Sequence, residues 1–356
     1  MTRLLFSLLF LFGLNSAYAD IQTGDRPYYP VIVEDKLYVG GAGNNNIYII
    51  DSNTDKLIKT LSYGDSANRH FVIHGSLIKN RLYLNDFYFN GLVVVDVDTE
   101  EVIDYIRGPE TGFSAPYYQA SLNNKAFITN HTAEFGRVSV FDAITNTFTL
   151  VTTGRDPTYP QLFGDKILAP SFLDEVITVI DSKTYATFNI DIGFGSNYIS
   201  TVGDKIYVTG TSFNGLSYNM RTGARVTFPI NITNFSKTAG TDVYFVGQGV
   251  RVLDSKTDTV VKQLNLPGSL TYGGAILNNK FYFGDNQSGS VIVIDLNTRE
   301  VVKQIPVGLG EFYWLVSLNN KIYMPDSANH RIIVIDPILD VIIDTENNGP
   351  ILLNFE

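Results

Sequence analysis

The sequence predicts an all-β ring of four-stranded blades, a single β-propeller, and three observations carry that prediction. First, one phrase recurs eight times: an apolar strand that runs into an acid and a turn, as in IYIIDSNT (47–54), ITVIDSKT (177–184) and VIVIDLNT (291–298). Its anchors are Asp51, Asp96, Asp142, Asp181, Asn219, Asp254, Asp295 and Asp336, spaced 45, 46, 39, 38, 35, 41 and 41 residues apart. A period near forty marks blades that stack around an axis, because one such unit cannot bury both its faces alone. Second, Tyr (21) and Phe (23) are abundant, and with the β-branched residues they suit pleated, half-buried surfaces. Third, no long segment after residue 20 carries apolar residues at helical spacing.

The seventh unit shows the grammar of all eight. Residues 270–277 form a small-residue strand that can pack near the axis. Asn278-Asn279 turns the chain, and Lys280-Phe281-Tyr282-Phe283 starts a second strand. A polar loop (284–289), an apolar third strand (290–294) and a turn (295–298) follow. The outer strand, 300–305, alternates as a half-exposed strand should. Second strands open in the same way at Lys36, Arg81, Lys125, Lys166, Lys205, Asp242, Lys280 and Lys321. Eight blades are therefore favoured, with seven as the alternative. The fifth unit is the weakest, since Asn219 replaces the acid and Met220 sits in the turn. No extra strand is required to close the ring, although 351–355 could supply one.

Lys205-Ile206-Tyr207-Val208-Thr209-Gly210, and Asn320-Lys321-Ile322-Tyr323 followed by Val334-Ile335-Asp336, resemble the YVTN family of β-propeller repeats. Asp326-Ser327-Ala328-Asn329-His330-Arg331 is similar to the start of an NHL repeat, a related unit. The resemblance covers 27–344. It implies an exported propeller, often of seven blades, and its motifs specify blades rather than chemistry.

Residues 1–19 differ in kind. Arg3, the apolar run 4–14 and Ala17-Tyr18-Ala19 make the three-part layout of a secretory signal peptide, leaving 20–356 as the propeller domain. The apolar run is too short to span a bilayer comfortably, so no membrane span is expected after cleavage. The chain has no cysteine, which excludes disulfides, thiolate metal sites and covalent c-type haem. The expectation is a soluble, monomeric protein of the periplasm or cell surface, a Gram-negative bacterium being favoured. The net charge of −10 opposes binding to nucleic acid or anionic lipid.

The repeated Asp reads as a hairpin cap, accepting backbone N–H groups two and three residues on. The lysine before each second strand reads as a solubilising residue at a turn exit. His70 and His74 lie about 13 Å apart on a regular strand and cannot share a metal. No phosphate loop, EF-hand or nucleophile motif is present. The sharper signal is aromatic. Loops between second and third strands share a rim with the lead-ins to the inner strands. There Phe87, Tyr88, Tyr117, Phe172, Phe213 and Trp314 are expected to bind a ligand, whether protein, peptide or small polar molecule. The reading is a non-catalytic binding scaffold with no cofactor. The alternative is a metal-dependent, lactonase-like hydrolase or lyase at the channel mouth. His131, His330 and Glu134 are its catalytic candidates, and Asp174, Asp285 and Asp326 its ligands for a divalent metal. A pyrroloquinoline-type redox subunit lacks its usual aromatic signature, since the chain has one Trp.

Overall fold

The structure, a computed structural model, describes residues 20–65, 68–230, 232–266, 272–345 and 349–350. The signal-peptide segment 1–19 and the candidate closing strand 351–355 lie outside the described residues. Eight antiparallel sheets follow one another along the chain, each with its strands in sequence order. Blades 1 to 8 span 27–62, 72–106, 116–152, 161–191, 196–229, 233–264, 274–306 and 316–344. The helical content among the described residues is one 3-10 turn, Pro109–Thr111. Every second strand begins at the residue the sequence pattern names, from Lys36 to Lys321.

The fifth unit is a complete blade, with strands Ser196–Val202, Lys205–Gly210, Asn214–Asn219 and Arg225–Pro229. Asn219 replaces the acid without loss of function in the turn. Its Oδ1 accepts the backbone N–H groups of Arg221 (3.0 Å) and Thr222 (2.9 Å), as Asp51 accepts those of Asn53 and Thr54 (both 2.9 Å). A carbonyl and a carboxylate offer the same lone pairs to that turn, so seven blades are ruled out.

Closure differs from the expectation. Ile21–Gln22 pairs with the third strand of blade 8, Ile21 opposite Ile332 and Gln22 opposite Arg331. Val341–Asp344 pairs further along the same edge, Ile342 opposite Ile335. The outer strand of blade 8 is thus shared between the two ends of the chain. Asp20 Oδ2 on Arg331 Nη1 (2.6 Å) and the Thr23 amide on the His330 carbonyl (3.0 Å) hold it. A two-residue strand is too short to carry a pattern, which is why sequence reading passed over it.

The core lies in the seams. Val31, Tyr38 and Ile49 of blade 1 pack against Val72, Leu82 and Val93 of blade 2, so each sheet buries its faces only against its neighbours. The residue four places after each anchor has a left-handed backbone: Asp55, Glu100, Asn146, Tyr185, Gly223, Asp258, Arg299 and Asp340, with φ between 53° and 72°. That is the closing position of a type I turn leading into an antiparallel strand.

These residues also tie the blades together. Asp55 Oδ2 meets Lys321 Nζ at 2.5 Å, and its Oδ1 accepts the Tyr323 hydroxyl at 2.6 Å. Asp258 receives Lys205 and Tyr207 (both 2.7 Å), and Asp340 receives Lys280 (2.6 Å) and Tyr282 (2.7 Å). At Lys36, Lys205, Lys280 and Lys321 the recurrent lysine is therefore an inter-blade clasp rather than a solubilising residue, whereas Lys166 pairs with Asp165 and Asp181 of its own blade. At the seam between blades 6 and 7 the polarity is reversed. Asp242 stands where the lysine should be, and Arg299 stands where the acid should be, paired at 2.6 Å.

Candidate binding mouth

Inner strands begin, and second strands end, at the same mouth of the channel. The lead-ins contribute two layers of side chains there, roughly one of each per blade.

The lower layer fills the channel. Trp314 lies parallel to Tyr159 (centroids 5.6 Å apart, 20° between planes) and meets Tyr29, Tyr118 and Tyr198 within 6.0 Å. His74 packs on Tyr29 (4.2 Å), Tyr118 (5.3 Å) and Tyr159 (5.6 Å). Blade 7 supplies Gly273 instead of an aromatic ring, and a Cβ there would stand 2.4 Å from the Trp314 ring. Burial pushes the Tyr118 and Tyr198 phenols well above their ordinary values. It pushes the His74 imidazole down to about 3, because an interior of low polarity disfavours the charged form.

The upper layer is a continuous crescent. Tyr272 (blade 7) stacks on Tyr313 (blade 8) at 5.9 Å, and Tyr313 meets Tyr28 (blade 1) at 4.3 Å. Tyr28 meets Phe71 (blade 2) at 4.8 Å, and Phe71 touches Phe87 and Tyr88. Phe87 meets Tyr117 (blade 3) at 5.6 Å, and Tyr117 stacks on His131 at 4.7 Å. The end at Tyr272 (40% exposed) and the end at His131 both stand open to solvent, and so does Tyr88 on the blade 2 loop (47% exposed). On the next part of the blade 2 rim, a cleft of about 510 Å³ is lined by Phe89, Arg107, Pro109 and Phe113. Arg69 lies over the Tyr88 ring at 5.1 Å, and Arg107 over the Phe89 ring at 4.8 Å. Blades 4, 5 and 6 carry Thr158, Asn197 and Asn234 on the opposite arc of the upper layer.

Of the residues chosen from sequence, the fold brings Phe87, Tyr88 and Tyr117 together. Trp314 is 8% exposed and belongs to the buried lower layer. Phe172 and Phe213 sit on the loops of blades 4 and 5, outside the crescent's chain of ring contacts, although Phe213 is 65% exposed. Sequence reading missed Tyr28, Phe71 and Tyr272. A signal existed: Tyr28-Tyr29, Tyr117-Tyr118 and Tyr313-Trp314 are adjacent aromatic pairs at one phase of the repeat.

The alternative's residues are engaged locally. His131 Nδ1 lies 2.5 Å from Asp156 Oδ1, and His330 Nδ1 lies 4.0 Å from Asp25. Glu134 is exposed on its loop. Asp174 receives Arg155 Nε at 2.8 Å. Asp285 and Asp326 are buried loop caps, accepting from Gln287 and Ser288 and from Glu311 and Arg331 respectively. Among the described residues, no group of three or more His, Asp or Glu side chains is placed to hold a metal ion. His70 precedes the inner strand and is wholly buried. Its Nδ1 meets Asp86 at 2.5 Å, and Tyr105 donates to the same carboxylate at 2.7 Å. That trio pins the blade 2 loop beneath Phe89.

The class the fold defines is the eight-bladed β-propeller. Among solved structures, the chain is similar to the computationally designed Ika8 protein: TM-score 0.72, 12% identity, covering 89% of this chain and 98% of that one. It is also similar to BamB from Moraxella catarrhalis: TM-score 0.69, 13% identity, covering 86% of this chain and 92% of that one. Identities this low show the fold alone. No family model and no curated protein matches the chain. No helix among the described residues is long and apolar enough to cross a membrane.

Proposed function

We propose that this chain is an exported, YVTN-like propeller that acts as a non-catalytic binding scaffold, taking an extended segment of a partner protein across the aromatic crescent. The supporting observation is the unbroken run of rings through five successive blades, partly buried along its length and open to solvent at Tyr272 and Tyr88. Flat rings held by a rigid frame offer large contact area at little entropic cost. The two arginines over Tyr88 and Phe89 favour a segment with a carboxylate or backbone carbonyls near its apolar side chains. The binding reading is preferred to hydrolysis because the candidate residues His131, Asp174, Asp285 and Asp326 are each already engaged by a neighbouring group.

Selection of random peptides on the immobilised propeller tests the proposal. Enriched sequences should carry aromatic or aliphatic anchors and should lose at least tenfold in affinity against a Tyr88→Ser, Tyr117→Ser double variant. Failure to enrich any sequence that this variant releases would overturn it. Export is tested separately by fusing residues 1–19 to a reporter active only outside the cytoplasm.

A further inference from the structure

Beneath the buried aromatic layer the channel opens into a cavity of about 340 Å³, reaching toward the mouth where the hairpin turns lie. Its roof is Trp314 with Tyr159 and Tyr198, and its wall includes Ser200, Thr201, Ser236 and Lys237. The Ser200 and Ser236 hydroxyls are 2.7 Å apart. One donates to the other, which leaves hydrogen-bonding capacity on both for something in the cavity.

Lys237 is the one lysine, arginine or carboxylate on the eight described inner strands. The lysines that open blades 1, 5, 7 and 8 are each paired with a carboxylate. Lys237 has no carboxylate partner among the described residues. Its side chain is exposed to solvent along the lumen wall, yet the surrounding protein desolvates the ammonium enough to hold it below the usual lysine value. An ammonium in such a place is stabilised only by water or by an incoming anion. Lys237 also borders a groove of about 660 Å³ that opens between blades 6 and 7 beside Asn279, which provides a path inward.

We propose that this lumen is a binding site for a small hydroxylated organic anion. Its carboxylate sits on Lys237 Nζ, its hydroxyls on the Ser200, Thr201 and Ser236 wall, and its least polar face against Trp314. The volume suits a ligand of sugar-acid size, within the range of small-molecule sites. The site is separate from the crescent, because the rings of the lower layer close the channel between them.

The protein contains its own reporter, since Trp314 is the single tryptophan and roofs the cavity. Fluorescence of the full chain is titrated with sodium gluconate, with glucose and with sodium chloride at matched ionic strength. Gluconate should give a saturable change in the millimolar range or below. Glucose and chloride should not saturate. Lys237→Met should weaken gluconate at least about tenfold, which is 1.4 kcal/mol, while Lys237→Arg retains binding and Tyr88→Ser leaves it unchanged. A second measurement needs no variant. Limited acetylation near neutral pH should modify Lys237 ahead of the paired lysines, and gluconate should protect it. No saturable change with gluconate, equal binding by Lys237→Met, or acetylation of Lys237 unaffected by gluconate would each overturn the proposal.

Discussion

The two mouths of this channel are built from the same eight repeats and obey different rules. At the turn mouth, corresponding atoms recur blade after blade: an anchor oxygen capping two amides, a left-handed residue closing the hairpin, and in most seams a clasp to the next blade. At the aromatic mouth, corresponding positions diverge. The upper layer is Tyr28, Tyr117, Tyr272 and Tyr313 on one arc but Thr158, Asn197 and Asn234 on the other. The fold needs every hairpin and every seam, so those residues are repeated. It needs only one closed layer across the channel, and the layer above is free to specialise.

Breaking the turn mouth should have the largest effect. Asp55→Gly keeps the left-handed backbone but removes the carboxylate that the Lys321 ammonium and the buried Tyr323 hydroxyl share, leaving them only the longer contacts to the Ser52 carbonyl. A loss of roughly 2 kcal/mol is expected in denaturant unfolding, since a charge-assisted, mostly buried acceptor is lost while the Ser52 carbonyl remains. The reversed seam sharpens the point. Asp242→Lys alone faces Arg299 with a like charge and should lose about 2 kcal/mol. Adding Arg299→Asp restores the polarity of the other clasps and should recover most of it, a coupling that a double-mutant cycle measures directly.

The aromatic mouth should show a pH signature instead. The folded His74 value of about 3 lies below the unfolded value of about 6.5. The unfolded chain therefore binds more protons between those limits, so stability falls as pH drops below about 6.5. By pH 5 this amounts to about 2 kcal/mol. Asp20, whose carboxyl burial raises to about 6 despite its Arg331 partner, acts in the opposite direction: its contribution is present at low pH and is lost as pH rises from about 4 toward 6. Comparing the wild type with His74→Phe at each pH isolates the histidine, and the variant should lack its part of the acid loss. The smallest stability effect is expected at the exposed rings of the crescent. Tyr88→Ser with Tyr272→Ser should change unfolding by no more than about 0.5 kcal/mol per site, while peptide binding falls.

The blade count, the order of strands and the start of every second strand were legible because periodicity and turn chemistry are local properties of the chain. The same holds for the capping role of Asp51 and its equivalents. The clasp was half legible. Lys-x-Tyr at the head of second strands is plain in the sequence, but its acceptor lies 53 residues away for Lys205 and on the far side of the ring join for Lys321. The candidate site was less legible still. Phe87 and Trp314 look alike as aromatic lead-ins and rim residues, yet one lines the crescent and the other is buried beneath it.

By itself the sequence determined an all-β ring of eight repeated sheets, since alternation and a forty-residue period leave a single sheet unable to cover its own faces. Tertiary structure decided how the ring is sealed, with Ile21–Gln22 completing the last blade. It also decided which rings meet at the mouth and that Lys237 is left without a counter-charge in the lumen. Those outcomes depend on which residues of different blades converge on one axis, and only the closed ring brings them together.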